Sequence, residues 1–176
     1  MSNDDTELPD RARRAFRQHD SLGDPRADAT PPSQTSVPVT STPFDAWVDA
    51  AETDDGSIQF TVTVTVPLLS DVTEGEVADI VEDGWADTFR RRVEDIGAVT
   101  EGDHDLDPSV ARTDEGLVTE ATLSDIDHHR GTNDAVAVVD YVEGTYVQGV
   151  IPGYDYTAPV SSLIEAARAA GGSDPA

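Results

Sequence analysis

The stretch Ile58-Gln59-Phe60-Thr61-Val62-Thr63-Val64-Thr65-Val66 decides the fold. Ile58, Phe60, Val62, Val64 and Val66 alternate without a break with Gln59, Thr61, Thr63 and Thr65. Period-two alternation sends successive side chains to opposite faces, so the run predicts a β-strand with one buried face. Just upstream, Phe44, Ala46, Val48 and Ala50 alternate with polar residues, apart from Trp47, and the turn cluster Thr53-Asp54-Asp55-Gly56 joins the two runs. Together they predict a β-hairpin with a short Asp-Gly loop. If Phe44 points into the core, Trp47 points to the opposite sheet face beside Asp45 and Asp49, either covered by a helix or exposed as a contact. Val37 and Val39 suggest a short preceding strand.

Working outward, a second hairpin is expected from Ser109 to Thr113, the turn Asp114-Glu115-Gly116, and Leu117 to Leu123, although its alternation is weaker. Between the hairpins a long helix is predicted from about Glu74 to Ile96. Thr73 and Glu76 match a capping box. Val77, Ile80, Val81, Trp85, Phe89, Val93 and Ile96 form one apolar stripe. Arg90, Arg91 and Arg92 sit near its C-terminal end, where cations suit the helix dipole, and Gly97 fits a C-cap.

An earlier helix is expected from Leu8 to Asp20, opened by Pro9, with Ala12, Ala15, Phe16 and His19 at helical spacing. Polar residues Ser124 to Asn133 lead into AVAVVDYVEGTYVQGVI, from Ala135 to Ile151. There Ala135, Val139, Val142, Tyr146 and Val150 fit a helix, while the β-branched content would suit a strand equally; the helix is the reading taken. Pro152-Gly153 forces a turn, and Pro159 opens a last amphipathic helix bearing Val160, Leu163, Ile164 and Ala167, ended by Gly171-Gly172. The expected class is α+β: an antiparallel sheet of about five strands built from two hairpins, with helices packed on one face. The expected organisation is a disordered N-terminus at 1–7, a single domain over 8–170 with a flexible loop at 21–36, and a disordered tail at 171–176.

The charge balance points to an environment. The chain has 36 Asp and Glu against 11 cationic residues, all arginine, and a formal net charge of -25. Charge of one sign at this density repels itself. In molar salt the Debye length falls to about 3 Å and screens that repulsion. Lysine is avoided and arginine serves the ion pairs. A solvated acidic coat of a protein working in concentrated salt is the expectation. Nucleic acid is excluded as a partner, because phosphate affinity needs positive charge. There is no cysteine, so disulfides and thiolate metal sites are excluded. MSNDDTELPD lacks a basic region followed by an apolar run, and no apolar stretch approaches the ~20 residues of a membrane helix. A cytoplasmic protein without membrane contact is expected.

Two stretches, TPFDAWVDA at Thr42–Ala50 and YVEGTYVQGVIPGYDY at Tyr141–Tyr156, together with EGEVADIVEDGW at Glu74–Trp85, carry a resemblance. With them the chain resembles an uncharacterised haloarchaeal protein family, a domain of unknown function, over most of residues 8 to 170. The order of elements is also similar to the type III secretion chaperone fold. Neither likeness implies an activity or a site.

Candidate chemistry is sparse. His128 and His129 lie among Asp125, Asp127 and Asp134, and His104 lies between Asp103 and Asp105. Imidazole with carboxylate can bind zinc or manganese. The spacing, however, matches no ligand motif such as HExxH, and chance adjacency in an Asp-rich chain outweighs a metal site. No GxSxG and no phosphate-binding GxxxxGK[ST] is present. Arg11, Arg13, Arg14 and Arg17 with Arg90, Arg91 and Arg92 could line an anion site, but pairing with carboxylates or capping of helix ends is favoured. No catalytic residue, cofactor or metal is therefore assigned.

The segment of greatest interest holds all four tyrosines within sixteen residues. Trp47, Tyr141, Tyr146, Tyr154, Asp155 and Tyr156 form the candidate binding segment, weighed against core packing of the same rings. The leading functional reading is a non-catalytic protein-binding or adaptor domain, with a protein partner or self-association. The alternative is a small-ligand-binding or hydrolytic enzyme using His128, His129, Tyr154 and Asp155.

Overall fold

A computed structural model of the chain describes residues 7–23 and 30–171. Residues 1–6, 24–29 and 172–176, on which the expected disordered ends and part of the expected loop fall, lie outside them. The strands are β1 (Val37–Pro38), β2 (Asp45–Glu52), β3 (Ile58–Val66), β4 (Ser109–Thr113) and β5 (Gly116–Asp125); the helices are α1 (Asp10–Gln18), α2 (Asp79–Val93), α3 (His128–Gln148) and α4 (Val160–Gly171). They form an α+β fold with one five-stranded sheet, in the order β1-β2-β3-β5-β4 and antiparallel throughout.

The deciding stretch is the middle strand. Ile58, Phe60, Val62, Val64 and Val66 are all at most 1 % exposed. Their cross-strand partners on the same face are Ala50, Val48 and Ala46 of β2 and Leu123, Ala121, Thr119 and Leu117 of β5. Each fully buried Val or Ile adds about 1.5–3 kcal/mol relative to exposure, so this face is the main source of cohesion.

Helices α1, α2 and α3 cover that face. Phe16 of α1 packs on Phe60 with ring centroids 6.1 Å apart. Tyr146 of α3 meets Phe44, Trp85 and Phe89 edge-on at 5.0, 5.6 and 6.5 Å. Close approach of α3 to the sheet depends on Gly131: a Cβ there would lie 2.3 Å from Phe60 Cε2. Val160 of α4 is buried, and Leu163 and Ile164 pack half-buried beside it. Among the described residues no helix is long and apolar enough to cross a membrane.

Four expectations are corrected. First, α2 begins at Asp79 rather than about Glu74, and the Thr73–Glu76 capping box does not form. The backbone there is engaged elsewhere: Thr73 bridges Tyr156, the Glu74 amide donates to Asp155 O at 2.9 Å, and the Thr157 amide donates to Val72 O at 2.7 Å. Second, Ile80 is 82 % exposed. The buried stripe of α2 runs through Glu82, Trp85, Ala86, Phe89 and Val93 instead. Glu82 belongs there because the Ser70 amide (2.9 Å) and Arg112 (2.7 Å) donate to its carboxylate.

Third, α2 ends at Val93 with Glu94 as its C-cap, so Gly97 does not cap it. A separate 3₁₀ turn at Ile96–Val99 brings Ile96 into the core. Fourth, α3 begins at His128, seven residues before the apolar run at Ala135. Asp127 supplies the N-cap, its carboxylate accepting from the amides of His129 (3.0 Å) and Arg130 (3.1 Å).

Candidate functional site

Where α2 and α3 lie side by side, small residues leave the space between their facing surfaces unfilled. Gly84 and Thr88 on α2 oppose Gly144, Thr145 and Gly149 at the end of α3, and a Cβ at Gly84 or Gly144 would meet open space. The result is a continuous groove of two adjoining depressions, about 270 and 650 Å³, that share Arg92, Thr145 and Gln148. Trp85 and Phe89 form the apolar wall of one, and Tyr141, Asp95 and Asp140 line the other.

The groove wall covers an unusual polar atom. Trp85 is 5 % exposed, and among the described residues its indole N–H has no acceptor. A buried donor without a partner costs about 1–3 kcal/mol, so native structures seldom keep one. The Tyr146 hydroxyl behind it also lacks a partner among the described residues, and burial pushes its ionisation far above the ordinary tyrosine range. At the other end, burial pushes the Asp140 carboxyl up, against the opposing influence of His19. The Tyr141 hydroxyl donates to Arg92 O at 2.7 Å and ties α3 to the last turn of α2.

A second cluster lies at the opposite end of α3. The loop after α2 brings His104 between Asp125, the last residue of β5, and Asp134 of α3. His104 Nε2 is 2.8 Å from Asp134 Oδ2 and 3.7 Å from Asp125 Oδ2, and these side chains are only 6 %, 2 % and 2 % exposed. The amides of Glu101 (2.8 Å) and Gly102 (2.9 Å) also donate to Asp134. Arg130 forks onto Asp125 through Nε (2.7 Å) and Nη2 (2.8 Å). Burial pushes the Asp125 carboxyl up. The Arg130 hydrogen bonds, the Asp127 amide and the charges of Arg130 and His104 outweigh it and hold the carboxyl below the ordinary value.

The residues flagged from sequence separate. Tyr146 is fully buried in the core, whereas Tyr141 reaches the groove. Tyr156 clasps the turn after α3: its hydroxyl accepts from the Ile151 amide at 2.7 Å and donates to Ile151 O at 3.1 Å. Tyr154 is half-buried, and Asp155 is exposed with its carbonyl held by Glu74. Trp47 is 5 % exposed on the sheet face away from the helices. Neighbouring Asp49 on that face accepts from the hydroxyls of Ser33 (2.9 Å), Thr35 (2.7 Å) and Ser36 (2.5 Å), so a chain segment rather than a helix crosses there.

The rings of His128 and His129 lie 4.4 Å apart, tilted by 40°, at the start of α3, and burial, then the neighbouring His129, lowers the His128 pKa. Tyr154 and Asp155 follow the other end of this 21-residue helix, about 30 Å away along its axis, so the four residues of the enzymatic alternative do not converge. Of the arginines, Arg11, Arg13 and Arg90 pair with Glu52, Asp10 and Asp87. Sequence reasoning missed the groove because Trp85 and Phe89 read as core; the small residues facing each other across α2 and α3 were the available signal. It placed His104 apart from Asp134, thirty positions later, because no local spacing links them.

No curated protein and no solved structure matches the chain. A family model, described as a family of unknown function (DUF5813), matches residues 24–166, which include the sheet, the groove and the histidine–aspartate cluster. The chain belongs to this family.

Proposed function

We propose that the chain is a non-catalytic binding domain of a halophilic cytoplasm, and that it holds a segment of a partner protein in the groove between α2 and α3. The observation that carries the reading is the groove itself, two adjoining depressions of about 270 and 650 Å³ that share Arg92, Thr145 and Gln148. Trp85 and Phe89 would give such a segment an apolar wall and Arg92 a cation at the rim. The excess of 36 carboxylates and the absence of lysine support a working environment of concentrated salt.

A photo-reactive residue at Gln148, in cells grown at high salt, tests the groove. The expected result is one dominant cross-linked protein, lost when Gly149→Arg fills the groove. It should be absent when the photo-reactive residue stands at Glu120 on the outer sheet face. Cross-linking unchanged by Gly149→Arg would refute the reading.

A further inference from the structure

We propose that His104, Asp125 and Asp134 form a binding site for one divalent transition-metal ion of the zinc or manganese kind. This site is separate from the groove and does not rest on its reading. Three side chains from three segments each direct one ligand atom inward, and the three atoms lie within 4.8 Å of one another. Both carboxylates are 98 % buried by the exposures given above, and buried carboxylates need compensating charge. Among the described residues Arg130 supplies one positive charge, and it is spent on Asp125. Asp134 receives two neutral amides and the imidazole of His104. The second charge falls at the point where His104 Nε2 meets Asp134, supplied by a proton on the ring or by a metal ion in its place.

The ligand set selects the ion. One imidazole and two carboxylates suit zinc or manganese, whereas calcium and magnesium take oxygen ligands. With metal–ligand bonds of about 2.0–2.2 Å in a tetrahedral arrangement, neighbouring ligand atoms stand about 3.3 Å apart. The 2.8 and 3.7 Å separations bracket that value. The ion replaces the proton of the His104–Asp134 hydrogen bond, so the imidazole takes the tautomer with its proton on Nδ1.

The surroundings already fit such a centre. Arg130 orients Asp125, and the amides of Glu101 and Gly102 orient Asp134, as outer partners of metal ligands do. Gly102 leaves the space open: a Cβ there would come within 2.4 Å of His104 Nε2 and 3.2 Å of Asp125 Oδ2. His104 also lines a surface depression of about 260 Å³ with Asp103, Asp105, Thr122 and Ser124, which gives ions and water access to its ring. Three protein ligands leave a fourth position for water or a small anion.

The test uses the full chain, stripped with a chelator, in fixed molar KCl with excess Mg²⁺ to occupy the surface carboxylates. Calorimetric titration with ZnCl₂ and with MnCl₂ should show one ion per chain and a raised melting temperature. His104→Ala and Asp134→Asn should lose that binding, while Asp103→Asn and His129→Ala keep it. Should a ligand variant not fold, the wild-type chain still decides: Zn²⁺ should shift the imidazole resonances of His104 and leave those of His128 and His129 in place. No stoichiometric binding, binding retained in folded His104→Ala, or shifts confined to His128 and His129 would each overturn the proposal.

Discussion

Replacing Gly131 by alanine sets two effects of opposite sign against each other. Glycine inside a helix costs about 1 kcal/mol relative to alanine, so propensity alone predicts a gain of that size. The structure predicts a loss. The new Cβ would stand 2.3, 2.9 and 3.1 Å from Cε2, Cζ and Cδ2 of Phe60, where carbon atoms prefer about 3.5–4.0 Å. Phe60 is fully buried and already packed against Phe16, so its ring has little room to move. Overpacking a tight core costs about 1–3 kcal/mol, and so deep an overlap belongs at the top of that range.

The net expectation for Gly131→Ala is a loss of about 2 kcal/mol, or a melting temperature lower by about 4–8 °C for a chain of this length. Urea unfolding at fixed KCl measures it. Phe60→Leu removes Cε2 and Cζ, the two atoms in deepest collision, so in that background the alanine penalty should shrink by more than about 1 kcal/mol. Gly131→Ala as stable as the parent, or an equal penalty in both backgrounds, would refute the close seating of α3 on the sheet.

Ile80→Lys should change stability by less than about 0.5 kcal/mol in urea unfolding, because Ile80 is 82 % exposed despite its place in the apolar pattern. Glu82→Ala, which strips the acceptor from the Ser70 amide and Arg112, should cost about 1–3 kcal/mol by the same measurement. Asp125 contributes to the acid limb. Its folded carboxyl titrates below the unfolded value of about 3.9, so its contribution is complete above that pH and is lost as pH falls through the folded value. Arg130→Gln should therefore move acid unfolding, followed by circular dichroism, to higher pH. Trp85→Phe keeps an apolar ring but deletes the unpartnered N–H. It should leave stability within about 1 kcal/mol and groove cross-linking from Gln148 in place, because the N–H is closed off from the groove.

The sheet was legible because its signal is local. Alternation in Ile58–Val66 and turn residues at Asp54–Gly56 and Asp114–Gly116 are read within a few positions, and the hairpins pair as they imply. Helix ends were less legible because tertiary partners override local preference. The Thr73 capping box lost to pairing of residues 72–74 with 155–157, and the start of α3 was obscured by polar residues that face solvent around the Asp127 cap. Glu82 displaced Ile80 from the buried stripe because its carboxylate serves partners that come from elsewhere in the chain. The candidate sites were least legible. Histidines adjacent in sequence drew notice, but His104 meets Asp125 and Asp134 only through the fold, and the groove beside Trp85 exists only because two helices meet at small residues.

The outermost strands carry a consequence for solubility. One border of the sheet is β1, two residues long and containing Pro38; the other is β4, five residues whose Arg112 is drawn back onto Glu82 and Asp83 of α2. Neither offers a second molecule a long row of free amides and carbonyls for strand-to-strand stacking. This safeguard is one of shape rather than of repulsion. It therefore persists in ionic conditions that would mask the molecule's negative charge, where mutual repulsion no longer keeps neighbouring copies apart.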